Sequence, residues 1–263
     1  MTLDHVGLFL TSLTENEIAF NIGTIFRCFG RLALPIFIFL IAEGVRHTRN
    51  ELKYLMRIGI IALCFLIGQI FIFYVSKKEF EFSSPMVDLF YAAITLILLK
   101  RKDKFSFLAI IPITFTILCF VTLNIANKNP EFNNFVPFVL RPDYCLFSML
   151  LALGFYYAKP ISIALLKSND STNALIDSPY QRYAESILCA LVVVILSGIF
   201  YAIYMISQVG YVFSPLQIYT MFAAVLILLY SGKRGYNAKW FQIGCYIYMP
   251  LHLVVIAAIF LLI

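Results

Sequence analysis

The sequence predicts an all-α membrane protein, a bundle of about nine transmembrane helices in a single domain that covers residues 1–263. Hydrophobic residues make up 62% of the chain and charged residues only 13%, whereas a soluble domain is nearer half apolar and a quarter charged. The apolar residues also form long continuous runs, without the alternation that is typical of outer-membrane barrel strands. Inside a bilayer such a run must be helical, because a helix satisfies its own backbone hydrogen bonds.

Roughly 20 apolar residues cross the hydrocarbon core, and about nine runs are candidate spans on that criterion. In chain order they cover residues 2–13, 25–45, 54–75, 86–99, 105–126, 144–157, 184–207, 213–230 and 240–263. The first run is short or truncated. The fourth and the sixth are short enough for a re-entrant or tilted helix. Polar segments separate the runs, and the longest, near residues 168–179, is rich in Ser, Asn and Asp and is typical of a flexible loop.

Basic residues are concentrated in every second loop, which sets the orientation of the predicted spans. The loop after the second run contains Arg46, Arg49 and Lys53, and the loop after the fourth contains Lys100, Arg101, Lys102 and Lys104. The loop after the sixth run contains Lys159, Lys167 and Arg182, and the loop after the eighth contains Lys233, Arg234 and Lys239. The loops near Asn16 and Gly210 contain no Lys or Arg, while Lys77 and Lys78 are an exception that is partly offset by Glu79 and Glu81. The pattern predicts a cytoplasmic N-terminus and an external C-terminus.

The formal net charge of +6 does not indicate a nucleic-acid-binding protein, because the basic residues lie in short loops between apolar runs. Their expected partners are anionic membrane lipids or an anionic cofactor at the membrane face. Six cysteines are scattered through apolar runs without a CxxC spacing. That distribution favours small buried side chains, with neither a disulfide framework nor a metal site.

Two histidines are predicted at similar depth in the membrane, on the first and last spans. His5 lies roughly 13 Å below the outer end of its helix, and His252 lies roughly 18 Å above the inner end of its own. Asp4 precedes His5. Imidazole exchanges protons near neutral pH, so a histidine in a wet membrane cavity is a candidate general base. We expect both rings to face one cavity that opens toward the basic cytoplasmic face; helix packing is the alternative.

Arginines mark the second span and the entrance to the sixth. Arg27 and Arg31 are four residues apart and share one helix face. Arg27 is expected to extend toward the headgroups, whereas Arg31 lies a turn deeper and is a candidate partner for Asp4 or for an oxyanion. Arg141 and Asp143 flank a proline and are interpreted as an exposed pair or as guards of an outer entrance.

A compact basic turn, SGKRG, occupies residues 231–235. Gly232 and Gly235 allow close backbone approach, and Lys233 and Arg234 can neutralise phosphate groups. Topology alone would also place positive charge at this position, so the turn by itself is a weak indication of a phosphate site.

Taken together, these residues resemble the TraX family, which is named for the conjugative F-pilin acetylation protein. The resemblance rests on DHVG at 4–7, GRLALPIFIFLIAEGVRHTRN at 30–50, KYLMR at 53–57, PDY at 142–144, LLYSGKRG at 228–235 and MPLHL at 249–253. The motifs occur in order over nearly the whole chain, and the block at 30–50 is long and specific.

The resemblance implies a multi-pass acetyltransferase of the bacterial inner membrane, within a wider group of transmembrane acyltransferases that use cytoplasmic acyl-CoA. The catalytic histidine of that group corresponds to His5, the PLHL motif places His252 in the site, and the GKRG motif makes Gly232 to Gly235 a candidate cofactor turn. Acetyl-CoA would be the donor, and the N-terminal amine of a pilin or a glycan hydroxyl the acceptor. His5 would remove the acceptor proton, oriented by Asp4 or His252, with Arg31 at the oxyanion.

Two other functions fit the same residues. A proton-coupled transporter or flippase could use the intramembrane Asp, His and Arg as a relay, although the sequence has no evident inverted repeat of the kind such transporters carry. A pilus-assembly membrane protein without chemistry is the second alternative.

Overall fold

The computed structural model describes residues 1–13, 16–76, 85–101, 103–126, 140–169, 176, 178–207, 214–233, 235–236 and 238–262. Every regular element in these ranges is helical. The α-helices are α1 Thr2–Leu13, α2 Glu17–Gly30, α3 Ala33–His47, α4 Glu51–Ser76, α5 Pro85–Lys100, α6 Ile110–Ala126, α7 Leu146–Asn169, α8 Pro179–Ser207, α9 Ala223–Leu228 and α10 Lys239–Leu262. Two 3₁₀ segments, Lys104–Ala109 and Pro215–Phe222, lead into α6 and α9.

The all-α membrane fold predicted from the sequence is confirmed. Four helical segments are long and apolar enough to cross a bilayer, by length and composition: Glu17–His47, Lys104–Asn124, Leu146–Ser168 and Pro179–Ile206. Every predicted run overlaps a helical segment, and the first coincides with α1. The total of nine spans and their orientation stay predictions.

The second predicted span is divided into two helices, α2 and α3, at Arg31 and Leu32. Pro35 explains the division, because a proline has no N–H to donate to the carbonyl four residues earlier, which here is that of Arg31, and its ring crowds that carbonyl. The Leu32 N–H instead donates to the Phe29 carbonyl at 3.3 Å. Arg31 therefore lies at the bend.

The sixth predicted span, 144–157, corresponds to a longer helix in the structure, α7, which ends at Asn169 and contains Pro160. Pro160 leaves the carbonyl of Tyr156 without its helical donor. The Arg46 guanidinium replaces that donor, with Nη2 2.9 Å from the Tyr156 carbonyl oxygen. Arg46 also contacts the carboxylates of Glu43, at 2.6 Å, and Glu185. These contacts join α3, α7 and α8.

The eighth predicted span, 213–230, is the least regular element. Its 3₁₀ segment begins at the cap formed by Ser214, whose hydroxyl accepts from the Leu216 N–H, and α9 adds only six residues. The hydroxyls of Ser197 and Thr220 hydrogen-bond at 2.7 Å inside the bundle. This element therefore packs against α8 through polar as well as apolar contacts.

The buried core lies where α3, α5, α7 and α8 meet, and its fully buried side chains include Ile38, Leu96, Phe147, Phe155 and Val193. Large apolar side chains are exposed on the outer faces of the peripheral helices, for example Ile18, Leu63, Ile195 and Val254. An exposed apolar surface of this kind suits contact with lipid.

The bundle has two poles, which the parallel helices α3 and α5 define, because their starts meet at one pole and their ends at the other. The basic pole contains the end of α3, where Lys100 Nζ donates to the Val45 carbonyl at 2.9 Å. It also contains Ser231, the first residue of the candidate cofactor turn, whose carbonyl accepts from Arg182. The histidine pole contains Arg31 and the start of α5. The 15 residues of α3 separate the two poles by about 22 Å.

Candidate functional site

Asp4 and His5 are adjacent on α1 and therefore point in directions about 100° apart. Asp4 packs against Gly30 so closely that a methyl group at position 30 would overlap the Asp4 Cβ. Only glycine at this position allows α1 to approach the α2–α3 bend to that extent. His5 points toward α10, so the two side chains contact different neighbours.

The rings of His5 and His252 are in contact, but only His5 is among the described residues that line the cleft reported below. The expectation that both rings face one cavity is therefore not confirmed. The ring centroids of His5 and His252 are 5.3 Å apart, with an interplanar angle of 47°. A second contact supports this one, because the hydroxyls of Thr2 and Tyr248 hydrogen-bond between the same helices. Thr2 and His5 are three apart on α1, and Tyr248 and His252 are four apart on α10, so each pair occupies one helix face.

The tautomer of His252 follows from its surroundings. Its Nδ1 lies 2.9 Å from the Tyr248 carbonyl oxygen, and a carbonyl can only accept, so Nδ1 carries the hydrogen. In the neutral ring Nε2 then holds a free lone pair. Nε2 is buried and has no hydrogen-bond partner in the described part of the chain. His252 therefore presents a basic nitrogen inside the bundle.

Arg31 joins Asp4 to the turn that precedes α7. Its Nη2 lies 3.5 Å from Asp4 Oδ1, and its Nη1 donates to the Tyr144 hydroxyl at 2.9 Å. The sequence predicts the contact with Asp4, and the structure contains it. The Nε of Arg31 is buried without a hydrogen-bond partner among the described residues, and unpaired polar groups of this kind call for an explanation such as a bound polar molecule.

Tyr144 and Asp88 were not singled out as site residues from the sequence. Asp88 is 1% exposed and accepts the N–H groups of Asp143, at 2.7 Å, and of Tyr144, at 3.2 Å. It also accepts the Ser148 hydroxyl. The carboxylate thus caps the start of α7 from the first turn of α5. The signal in the sequence was Asp88 itself, an acidic residue within an apolar run.

A cleft of about 50 Å³ lies between these groups. Its polar lining comes from Asp4, His5, Arg31 and Tyr144, and Met86 and Leu89 of α5 contribute apolar walls. The volume is sufficient for a few water molecules or a group as small as acetyl. A nucleotide is much larger, so only the reactive end of a large donor would fit.

The candidate cofactor turn lies at the basic pole, away from the cleft. Lys233 and Gly235 are exposed, and Arg234 lies outside the described residues. Gly232 has a φ of +64°, and a Cβ there would overlap the Arg182 guanidinium. The turn therefore favours glycine at position 232 because of its backbone conformation, whereas the Arg182 guanidinium, at the end of a flexible side chain, could move away from an added Cβ. The expectation that the histidine cavity adjoins the basic face is wrong, because α3 separates them.

One of the two interpretations of Arg141 and Asp143 is wrong. Arg141 is buried, with 6% of its surface exposed, so the two residues are not an exposed pair, whereas a role at an outer entrance stays a prediction. Among the described residues there is no group of three potential His, Cys, Asp or Glu metal ligands, and all six cysteines are unpaired. The absence of a metal centre stays a prediction.

Residues 1–130 match the family model described as TraX protein. No curated protein and no solved structure matches the chain. The matched region contains Asp4, His5, Arg31 and Asp88, whereas Tyr144 and His252 lie beyond it.

Proposed function

We propose that this chain, which belongs to the TraX family, is a membrane-embedded acetyltransferase that moves an acetyl group from acetyl-CoA to an amine or hydroxyl acceptor. Family membership supports a conjugation-related membrane protein that modifies pilin. The finer assignment rests on one observation, which is that His5 and His252 are in ring contact beside the Asp4–Arg31 pair. A general base next to a fixed cation is what acyl transfer requires.

In the proposed reaction the acceptor attacks the thioester carbonyl carbon from the cleft. His5 lines the cleft and takes the acceptor proton while the new C–N or C–O bond forms. The carbonyl electron pair moves onto oxygen, and the developing negative charge is stabilised by Arg31. When the C–S bond breaks, the proton passes to the CoA sulfur. During the reaction the protonated His5 ring would donate a hydrogen bond to His252 Nε2, which in the structure has no hydrogen-bond partner among the described residues.

The two poles suit the two ends of acetyl-CoA. Lys233 and Arg182 present positive charge at the basic pole, where Arg182 contacts the turn directly, and phosphate groups bind such residues. The acetyl group would enter the cleft at the other pole, and the extended pantetheine arm would have to cover the length of α3. The predicted cytoplasmic orientation of the basic pole places the phosphates on the side where acyl-CoA is found.

The acceptor is proposed to be the N-terminal amine of a pilin, with a glycan hydroxyl as the alternative. The enzyme would act in the bacterial inner membrane, where a pilin substrate with an apolar segment can approach a cleft inside the bundle. Anionic membrane lipids at the basic loops are its other expected partners.

The test is acetyl transfer by the purified protein in lipid vesicles. Free CoA thiol is measured over time from acetyl-CoA, and the mass of an amine-bearing pilin peptide is recorded with that of a hydroxyl-bearing glycan. Wild type should release thiol and add one acetyl group to one acceptor. His5→Ala should lose the activity, whereas His47→Ala, which changes an exposed histidine at the basic pole, should retain it. A transporter or scaffold predicts no thiol release by any variant.

A further inference from the structure

The cleft has a second polar wall, formed by Tyr144, that takes no part in the proposed proton transfers. The Tyr144 hydroxyl oxygen accepts a hydrogen bond from Arg31 Nη1 at 2.9 Å. Arginine has no acceptor atom, so the hydroxyl hydrogen of Tyr144 is not used in that bond. Tyr144 lines the same cleft as His5. A hydroxyl polarised by a guanidinium is a stronger donor than an isolated one.

The backbone around Tyr144 is held in an unusual conformation. Cys145, the next residue, has a φ of +44°, which is uncommon for any residue other than glycine and is a source of strain. Asp88 holds this turn by accepting the N–H groups of both Asp143 and Tyr144. A buried carboxylate is thus used to fix the backbone from which the Tyr144 side chain extends.

We propose that Tyr144 is a catalytic hydrogen-bond donor to the oxyanion of the acetyl group, and that Asp88 is the positioning residue that aims it. This inference rests on the proposed acetyl transfer. In the transition state the attacking atom bonds to the carbonyl carbon and the carbonyl electron pair moves to oxygen. Tyr144 donates its hydroxyl hydrogen to that oxygen, Arg31 supplies the positive charge behind it, and both return to their resting contacts when the C–S bond breaks.

The alternative is that Tyr144 only fills space and ties α7 to Arg31. The two roles differ in what a hydroxyl deletion does. Tyr144→Phe keeps the ring and removes the donor, so a catalytic role predicts a lower kcat for acetyl transfer with little change in the KM for acetyl-CoA. Loss of one oxyanion donor typically lowers kcat by about 10²–10³-fold.

Tyr91→Phe is the matched control. Its hydroxyl is at the same pole and donates to the Leu140 carbonyl at 3.1 Å, so the variant removes a tyrosine hydroxyl without changing the polar lining of the cleft. Its kcat should remain within about twofold of wild type. Equal kcat losses in the two variants would assign both to packing and overturn the proposal.

Asp88→Asn tests the positioning role, because it retains one acceptor oxygen and the side-chain shape. It should lower kcat by less than Tyr144→Phe does, and the double variant should be no slower than Tyr144→Phe alone, because Asp88 acts through Tyr144. Losses that multiply in the double variant would contradict this. If Tyr144→Phe is not monodisperse in detergent, the test rests on Asp88→Asn alone. A wild-type kcat for Asp88→Asn would then overturn the proposal.

The controls also separate this proposal from the proposed function. If the wild type transfers no acetyl group to any acceptor, acetyl transfer itself fails, and the inference fails with it. If the wild type is active and Tyr144→Phe has a wild-type kcat, acetyl transfer stands and only the role of Tyr144 is lost.

Discussion

The His252 ring has one nitrogen bound to backbone and one available for chemistry. Nδ1 is bound to the Tyr248 carbonyl, which fixes the orientation of the ring toward His5, and Nε2 has no partner among the described residues. The His5 and His252 rings are in contact, with centroids 5.3 Å apart. In the proposed acetyl transfer, the available nitrogen of His252 therefore lies next to the ring that takes the acceptor proton.

Arg31→Lys tests whether this site needs the shape of a guanidinium or only its charge. Arg31 reaches Tyr144 and Asp4 with different nitrogens, and a lysine ammonium is a point charge that cannot reproduce that fork. We expect the kcat for acetyl transfer to fall roughly 10²-fold, as for loss of an oxyanion donor, with the protein still folded.

Arg27→Lys is the control for that experiment, since Arg27 is one turn earlier on the same face and is not among the described residues that line the cleft. Its activity should stay close to wild type. A fully active Arg31→Lys protein would show that positive charge alone is sufficient and would remove Arg31 from the oxyanion role.

The sequence predicted the polar residues that meet at the site, because an ionisable side chain in an apolar run needs a partner. Asp4, Arg31, His5 and His252 could all be found by that argument. Tyr144 could not, because a tyrosine near a span end is ordinary. Its orientation depends on a left-handed residue, Cys145, and on a contact with α5 that no local pattern predicts.

Close approach of α1 to the α2–α3 bend places Asp4 beside Arg31. Gly30→Ala would drive a methyl group into the Asp4 Cβ, and neither helix can yield there by rotating a side chain. We expect the variant to lose most acetyl transfer and about 1–3 kcal/mol of stability, the usual cost of overpacking. Activity and thermal unfolding in detergent measure both.

Gly198→Ala is the matched helical control, because nothing lies within 4 Å of a Cβ at that position. It should leave activity and unfolding temperature unchanged. If Gly30→Ala behaves in the same way, α1 does not need this close approach to the bend, and the approach does not position Asp4.

The contact of Arg46 with α7 leads to a stability prediction. Removing Arg46 leaves the carboxylates of Glu43 and Glu185 without their cation and the Tyr156 carbonyl without its hydrogen-bond donor. Arg46→Ala should therefore destabilise the bundle by about 3–5 kcal/mol. Pro160→Ala restores the helical donor to Tyr156, so the same Arg46 change should cost less in that background. The unfolding temperature measures both.

Arg49→Ala, on an exposed loop residue at the same pole, should be nearly neutral. If Arg46→Ala is as neutral as Arg49→Ala, the buried contacts do not stabilise the junction of α3, α7 and α8.

Element positions were predictable where hydropathy sets them, as for α1, and less so where proline intervenes. Pro35 divides one predicted span and Pro160 lies inside a helix that continues for nine more residues to Asn169. The sequence contains both prolines, but whether a proline ends a helix or is accommodated depends on a donor from elsewhere. For α7 that donor is Arg46, which is more than 100 residues earlier in the chain.

Under the proposed function, the molecule as a whole would bind phosphate at one pole and carry out the chemistry of the acetyl group at the other. The sequence suggested one cavity adjoining the basic face. The structure instead has two poles separated by the length of α3. The distance between the site residues depends on which helices pack side by side, and the hydropathy of the sequence does not predict that packing. Specificity for CoA and rate of transfer should therefore respond to different residues.

Changing Lys233 and Arg234 to Ala should raise the KM for acetyl-CoA more than it lowers kcat. Phosphate anchoring acts far from the reacting carbonyl and stabilises ground and transition states alike. We expect at least roughly a tenfold rise in KM, since a hydrogen bond to a charged group contributes about 1.5–3 kcal/mol. Lys53→Ala, an exposed cation at the same pole, is the control. An unchanged KM would leave the turn with a role in topology only.

The most direct test of the central claim is a kinetic cycle on the two histidines in the reconstituted protein. His5→Ala should lower turnover by roughly 10²–10⁴-fold, the usual contribution of a positioned acid–base group, and His252→Ala should lower it as well. Because the rings are in contact, we predict that the double variant is hardly slower than the slower single variant. Losses of stability that add, with activity per folded molecule retained, would contradict a shared catalytic site.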